Sequence, residues 1–284
     1  MSIPGAMTID VEDYFQVQAF ADVIDRDHWE SYPRRVEDNT AWLLDALAAR
    51  NQRATFFTLG WVADRHQSLI RRIVDAGHEL ASHGYGHQLV DHIGPDAFRA
   101  DLRRARAALE DAGGVAVIGY RAPTFSIGPH VPWAWDILEE TGHRYSSSLF
   151  PVRHDLYGTP DAARTPFQPA GLSLWEIPLT TIKGLGRNWP CAGGGYFRLL
   201  PYAAYRQAVR HLHRTEHNPA IFYTHPWELD PAQPHIPGSR LTARFRHRVN
   251  LARMKTRFSA LLTDFAWDRM DHIFADLLNS PGTH

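Results

Sequence analysis

The sequence predicts an α/β protein built around a barrel-like parallel sheet that is closed or nearly closed. Three observations carry this. Short β-like runs alternate with helix-like stretches of roughly 10–15 residues, the pattern of parallel βαβ units. The number of such units in one chain favours a sheet that curls back on itself. No repeat of fixed period or low-complexity tract is present, and the only linker-like segment is the polar, Pro-containing stretch 153–170, so residues 1–284 read as one domain with decorated loops.

The elements follow in order. "MTID" (7–10) is a short apolar strand, and "DNTAWLLDALAARN" (38–51) is a helix with Asp38 or Asn39 as its N-cap. "ATFFTL" (54–59) is a buried strand, "RHQSLIRRIVDAG" (65–77) an amphipathic helix stopped by Gly77, and "HEL" (78–80) a strand start. Helix 95–114, strand "AVIGY" (116–120) and helix 131–142 come next. "YSSSLF" (145–150) and "LWEIPLT" (174–180) are further strands, 201–216 a helix and "AIFYT" (220–224) the last clear strand.

Composition narrows the function classes. An apolar content of 44% over 284 residues supports a sizeable core, and 30 Lys+Arg against 31 Asp+Glu leaves no whole-chain field for nucleic acid. The single cysteine, Cys191, excludes an intrachain disulfide and a CxxC zinc pair, so a metal would need His and carboxylate ligands. The start, "MSIPGAMTIDVEDYF", lacks a basic region followed by an apolar one, and no run of about 18 apolar residues occurs. This predicts a soluble, cytoplasmic chain, with residues 1–6 a start-site extension and Met7 a second start.

Each clear strand delivers polar groups at its C-terminal end, the face on which such barrels build their sites. "MTID" ends in Asp10, with Glu12 and Asp13 beyond; "HELAS" runs into His83 and His87; "AVIGY" into Arg121; "AIFYT" into His225. Two histidines four apart, with a carboxylate as third ligand, suit a divalent ion with one open position. Gly84 and Gly86 would let both rings turn toward it. Among 17 histidines an H-x-x-x-H spacing also arises by chance, and the three other converging segments are what give it weight. One acid of "TIDVED" can ligate while another acts as general base. Strand alternation puts Asp10 and Glu12 on one face and Asp13 elsewhere unless the strand turns. Arg121 offers a fork of donors to hold a carboxylate, and His225 is a candidate general acid. A tryptophan or tyrosine at the rim would suit stacking on a sugar.

With "TIDVED", "HGYGH", "RAPTFS" and "FYTHPWE" in this order over residues 8–228, the sequence resembles the polysaccharide deacetylase family, carbohydrate esterase family four. "DVEDYFQVQAF", "LWEIPLTTI" and "GGGYFRLLP" resemble the subgroup encoded beside exosortase-type exopolysaccharide loci. The resemblance implies a distorted (β/α) barrel with a family-specific C-terminal portion from about residue 185. It implies a hydrolase that removes N-acetyl groups from hexosamines of a bacterial exopolysaccharide or its precursor. Zn²⁺, with Co²⁺ as substitute, would be the cofactor. Asp10 would be the base, Arg121 its positioning partner, His225 the acid, and His83 and His87 metal ligands. The family's first motif has adjacent aspartates, whereas Val11 follows Asp10 here, so the third ligand is Glu12 or Asp13. Ser146 stands where relatives carry an aspartate, and no acid that would tune His225 is evident.

Two rival readings remain at this stage: a hydrolase of small cyclic amides or ureides on the same barrel, and a non-catalytic glycan-binding protein. The basic stretch "SRLTARFRHRVNLARMKTRF" (239–258) reads first as a solvated helix face. Its second reading is contact with an anionic glycan, export machinery or the inner face of the membrane.

Overall fold

The structure, a computed structural model, describes residues 3–155 and 157–280. Its frame is an eight-stranded, all-parallel curled sheet. The strands β1 (Gly5–Val11), β2 (Thr55–Thr58), β3 (Glu79–Ser82), β4 (Gly119–Tyr120), β5 (Tyr145–Ser146) and β6 (Trp175–Glu176) lie side by side in chain order. β9 (Ile221–Thr224) pairs with the other edge of β1, and β10 (Trp267–Asp268) pairs with its first residues, Gly5 and Ala6. β1, β2, β3 and β9 are buried along their whole length, as expected for parallel strands covered on both faces.

The sheet does not close by a strand ladder between β6 and β9. Thr180 spans that seam: its hydroxyl accepts from the Ile221 N–H at 2.6 Å and its carbonyl from the Cys191 N–H at 3.1 Å. A second, antiparallel pair, β7 (Thr181–Gly184) and β8 (Arg187–Pro190), follows at once. It carries little apolar alternation: Thr181 is buried, and the other residues are partly covered or exposed.

The helices α1 (Val36–Ala48), α2 (Gly60–Arg65), α3 (Gln67–Asp75), α4 (Val90–Gly113) and α5 (Trp133–Glu140) form the first part of the outer layer. α1 starts two residues before the expected cap, because a remote side chain supplies its capping carboxylate. The Arg35 and Val36 N–H groups donate to Asp13 Oδ2 at 2.7 and 3.0 Å. α4 reaches back to Val90 across a kink at Gly94 (φ 75°) ahead of Pro95, so the sequence reading from 95 marks only its second part. "AVIGY", "YSSSLF" and "LWEIPLT" contribute only two paired residues each; in the latter two, side-chain bonds to Glu176 replace ladder bonds.

After the seam come α6 (Gly194–Leu199) and α7 (Tyr202–Thr215), then α8 (Leu241–Arg248), α9 (Leu251–Asp264), α10 (Met270–Ile273) and α11 (Ala275–Asn279). The basic stretch is thus two helices broken at Val249 and Asn250 (φ 54°). Arg246 pairs with Asp155, while Arg248 and Arg257 donate to backbone carbonyls, a structural use of these charges. Among the described residues no helix is long and apolar enough to cross a membrane. The strand expected to begin at Met7 begins at Gly5, so residues 5 and 6 belong to the sheet; residues 1 and 2 lie outside the described residues.

Candidate active site

Parallel pairing staggers the strand exits so that each one hands a residue to the same edge. The backbone N–H of His83 donates to Thr58 O, that of Arg121 to Ser82 O, and that of Ser147 to Tyr120 O. Every one of these residues is the first after its strand and hangs on the neighbouring strand's last carbonyl. Asp10, the last but one residue of β1, and His225, the first after β9, complete the edge.

Glu12, His83 and His87 each offer a ligand-type atom, all within 4.8 Å of one another, and all three side chains are buried. His87 Nε2 lies 2.9 Å from Glu12 Oε2, yet that oxygen has no hydrogen-bond partner. A buried carboxylate oxygen left unsatisfied beside an imidazole nitrogen suits two ligands of one cation better than a hydrogen-bonded pair. His83 Nδ1 lies 2.8 Å from Arg121 O; donating to that carbonyl fixes the tautomer and leaves Nε2 free. The residues present therefore fit a divalent ion.

The "HGYGH" loop is held from outside. Arg26 donates to the carbonyls of Gly86 and His87, both at 2.8 Å, and the Tyr85 N–H donates to Asp101 at 2.8 Å. Gly84 is required here: it sits at φ 74°, and a Cβ would lie 2.8 Å from Asp101 Oδ2. Gly86 is not required on either ground; His87 itself takes the left-handed conformation, at φ 50°.

Asp13 is not brought to the cluster. Besides capping α1 it accepts from the Tyr14 N–H at 2.9 Å, so beyond the end of β1 at Val11 this acid faces backbone donors. Burial pushes its carboxyl up to about 6 against those bonds. Burial acts on Glu12 in the same sense, but His87, His225 and His83 beside it hold that carboxyl down at about 2. Burial also depresses His83, to about 4, which keeps its ring neutral as a ligand requires.

Asp10 Oδ1 accepts from Arg121 at 2.7 Å. That guanidinium, fully buried, also donates to Thr8 Oγ1 and to the Ser147 carbonyl and hydroxyl, and lies over the Phe57 ring. Ser148 accepts from the Ala122 N–H, and the Ser148 and Leu149 N–H groups donate to buried Glu176, which steadies the loop around Arg121. Ser146 donates no charge to the site; its hydroxyl bonds to Ser148.

His225 Nε2 lies 3.9 Å from Asp10 and 3.7 Å from Glu12, and its side chain keeps 19% of its exposure, more than any other member of the cluster. Its Nδ1 lies 2.9 Å from Glu228 Oε1. Glu228 is the acid set against the His225 ring, not evident from the sequence reading although a signal for it exists: it stands three residues on in "HPWE", the spacing of a capping box, and its carboxylate does accept from the His225 N–H. Trp227 stacks on His225 at 5.1 Å and on His247 at 4.1 Å, and donates Nε1–H to Glu12 Oε1. Tyr223, beside His225, continues into Phe125, Phe150 and Tyr157, with His154 stacked on Tyr157.

Burial alone would depress the His225 imidazolium, but the hydrogen bond to Glu228 and the charges of Glu12, Glu228 and Asp10 raise it to about 9. An unfolded histidine titrates near 6.5, so the folded state holds this proton more tightly. In metal-stripped protein the resulting stability is fully present below about pH 6.5 and is lost as pH rises through about 9, on the order of 3 kcal/mol in all. Urea unfolding of stripped protein from pH 6 to 10 measures this fall; His225→Gln should flatten it.

Comparison with known proteins matches two consecutive parts of the chain. Residues 27–146 match the family model of the polysaccharide deacetylases, and residues 147–275 match a domain of unknown function, DUF3473. The chain is 31% identical over 84 residues to a peptidoglycan-N-acetylglucosamine deacetylase of Bacillus cereus, covering 30% of this chain and 30% of that protein. It is 30% identical over 96 residues to a chitooligosaccharide deacetylase of a Bradyrhizobium species, covering 34% and 42%. The chain thus spans less than half the length of these relatives.

In fold it is similar to a protein from Mycobacterium smegmatis assigned to the polysaccharide deacetylases, with a TM-score of 0.59 and 21% identity over 100% of this chain and 99% of the other. It is also similar to a carbohydrate esterase family 4 pseudoenzyme from Bacillus anthracis, with a TM-score of 0.51 and 14% identity over 98% and 66%. At these identities the likeness establishes the curled α/β barrel, and activity has to be argued from the residues. The chain thus carries a polysaccharide deacetylase-type segment over residues 27–146, followed by the domain of unknown function over residues 147–275.

Proposed function

We propose that the protein is a metal-dependent N-deacetylase acting on hexosamine residues of a bacterial exopolysaccharide or its precursor. The observation that carries this reading is the meeting, on one barrel edge, of a Glu12–His83–His87 cluster with an Arg121-held carboxylate and a Glu228-backed imidazole. Hydrolysis of an acetamide needs those parts: an electrophilic centre, a base for water and an acid for the departing amine.

Glu12, His83 and His87 would hold the ion, most suitably Zn²⁺ given a His₂-carboxylate donor set. When bound, that ion polarises the acetyl carbonyl and lowers the pKa of water toward about 7. Asp10, oriented by Arg121, takes the proton of the attacking water through its Oδ2 side. His225 would deliver a proton from Nε2 to the leaving nitrogen, and Glu228, 2.9 Å from Nδ1, holds the ring so that Nε2 faces the reaction. Acetate and a free amine are the products.

The test is acetate release from an N-acetylglucosamine oligomer by protein stripped with chelator and then restored with zinc or cobalt. Release that returns only with metal is the expected result. No release with metal stoichiometrically bound would overturn the reading for this sugar. His225→Ala should lower turnover by about 10²–10⁴-fold, and near wild-type turnover would remove its assignment as acid.

A further inference from the structure

We infer that Arg198, in the "GGGYFR" stretch of the C-terminal half, is a positioning residue for His225, acting through Glu228. The inference rests on the assignment of His225 as the acid of the proposed reaction. It gives a task in the active site to a segment that family comparison leaves without one.

The Glu228 carboxylate divides its two oxygens. Oε1 faces His225, accepting from its backbone N–H at 3.1 Å and lying 2.9 Å from Nδ1, and it accepts from the Thr224 hydroxyl at 3.1 Å. Oε2 accepts from Arg198 Nε at 2.6 Å. A carboxylate held at one oxygen only could rotate about its last bond; held at both, its plane is set, and with it the direction in which His225 donates. Burial pushes Glu228 up, but the Arg198 guanidinium and His225 hold it down at about 2, so it stays a charged acceptor.

Arg198 is anchored in turn. It is 2% exposed, and its remaining donors reach the carbonyls of Arg246, His247 and Val249 at 3.2, 3.1 and 2.6 Å. These carbonyls end α8, where the helix presents partial negative charge, so a cation is favoured there. The guanidinium therefore links the α8–α9 junction to Glu228 and onward to His225.

The glycines of the motif fit the same task. Gly194 opens α6, and Arg198 stands four residues on, so both lie on one helix face. A Cβ at Gly194 would lie 2.2 Å from both Glu228 carboxylate oxygens. Only a residue without a side chain lets α6 approach closely enough for Arg198 to reach the carboxylate.

The test uses three variants of the full chain. Arg198→Lys keeps the charge and loses the fork, Arg198→Met loses both, and Gly194→Ala displaces Glu228 without touching Arg198. For each, kcat and KM for acetate release, zinc stoichiometry and the downfield imidazole Nδ1–H resonance of His225 are measured, the resonance being assigned by its loss in His225→Gln. The expected result is a fall of roughly 10–100-fold in kcat, by analogy with loss of the outer-shell partner of a metal-site histidine. KM and zinc content should hold, and the resonance should shift or vanish by exchange with water. Should Arg198→Met fail to fold, Arg198→Lys and Gly194→Ala still decide. Wild-type kcat and an unmoved resonance in these two variants would overturn the inference. If the wild type releases no acetate, the resonance alone decides: its persistence in Arg198→Lys and Gly194→Ala overturns the link to His225, whatever the reaction.

Discussion

Glu12→Ala protein should lose its metal and with it acetate release, by roughly 10³-fold or more, because both carbonyl polarisation and water acidification depend on the ion. Asp13→Ala should behave oppositely. It keeps metal stoichiometry and most activity, and it loses stability, since the Tyr14, Arg35 and Val36 N–H groups would have no acceptor. Losing a helix cap alone costs about 0.5–2 kcal/mol. Metal content by elemental analysis and thermal unfolding, measured on both variants, separate the two carboxylates. Metal retained by Glu12→Ala and lost by Asp13→Ala would reverse the assignment.

Asp10→Asn should lower kcat by about 10²–10⁴-fold while metal stays bound. The amide is nearly isosteric and fills the same space beside Arg121, but it cannot take a proton. Arg121→Lys is the companion variant: its point charge can still face Asp10, yet it cannot also reach Thr8 and Ser147, so activity should fall with intact metal content. A full-rate Asp10→Asn enzyme would place the base elsewhere; two further carboxylates face His225, Glu12 at 3.7 Å from Nε2 and Glu228 at 2.9 Å from Nδ1.

The two family matches divide one site between them. His83 and His87 lie in the deacetylase match, as does Arg121; His225 and Glu228 lie in the domain of unknown function, and Asp10 and Glu12 precede both. β9 from the second segment pairs directly with β1. The C-terminal half is in this sense part of the barrel wall, and the junction at residue 146 coincides with the end of β5.

What was legible in the chain itself was whatever repeats locally. Strand and helix periods along one sequence reveal βαβ units, and the polar residue that ends each strand, Asp10, His83, Arg121 or His225, is marked by its apolar run. The choice between Glu12 and Asp13 was open because it depends on where β1 turns, and that turn is set by backbone donors 22 residues away at the start of α1. The short ladders at β4, β5 and β6 were overread, since a strand's length depends on neighbours that single-sequence pattern does not contain.

By itself, then, the sequence determined the α/β alternation, the set of strand-end groups and the absence of thiol ligands. Only the tertiary structure decided that Glu12 joins the histidines, that Glu228 backs His225 and that Arg198 reaches Glu228 from α6. The physical reason is that a hydrogen bond of 2.6–2.9 Å joins residues 30 positions apart as readily as residues three apart, here Arg198 and His225 on the same carboxylate, and only the packed chain says which.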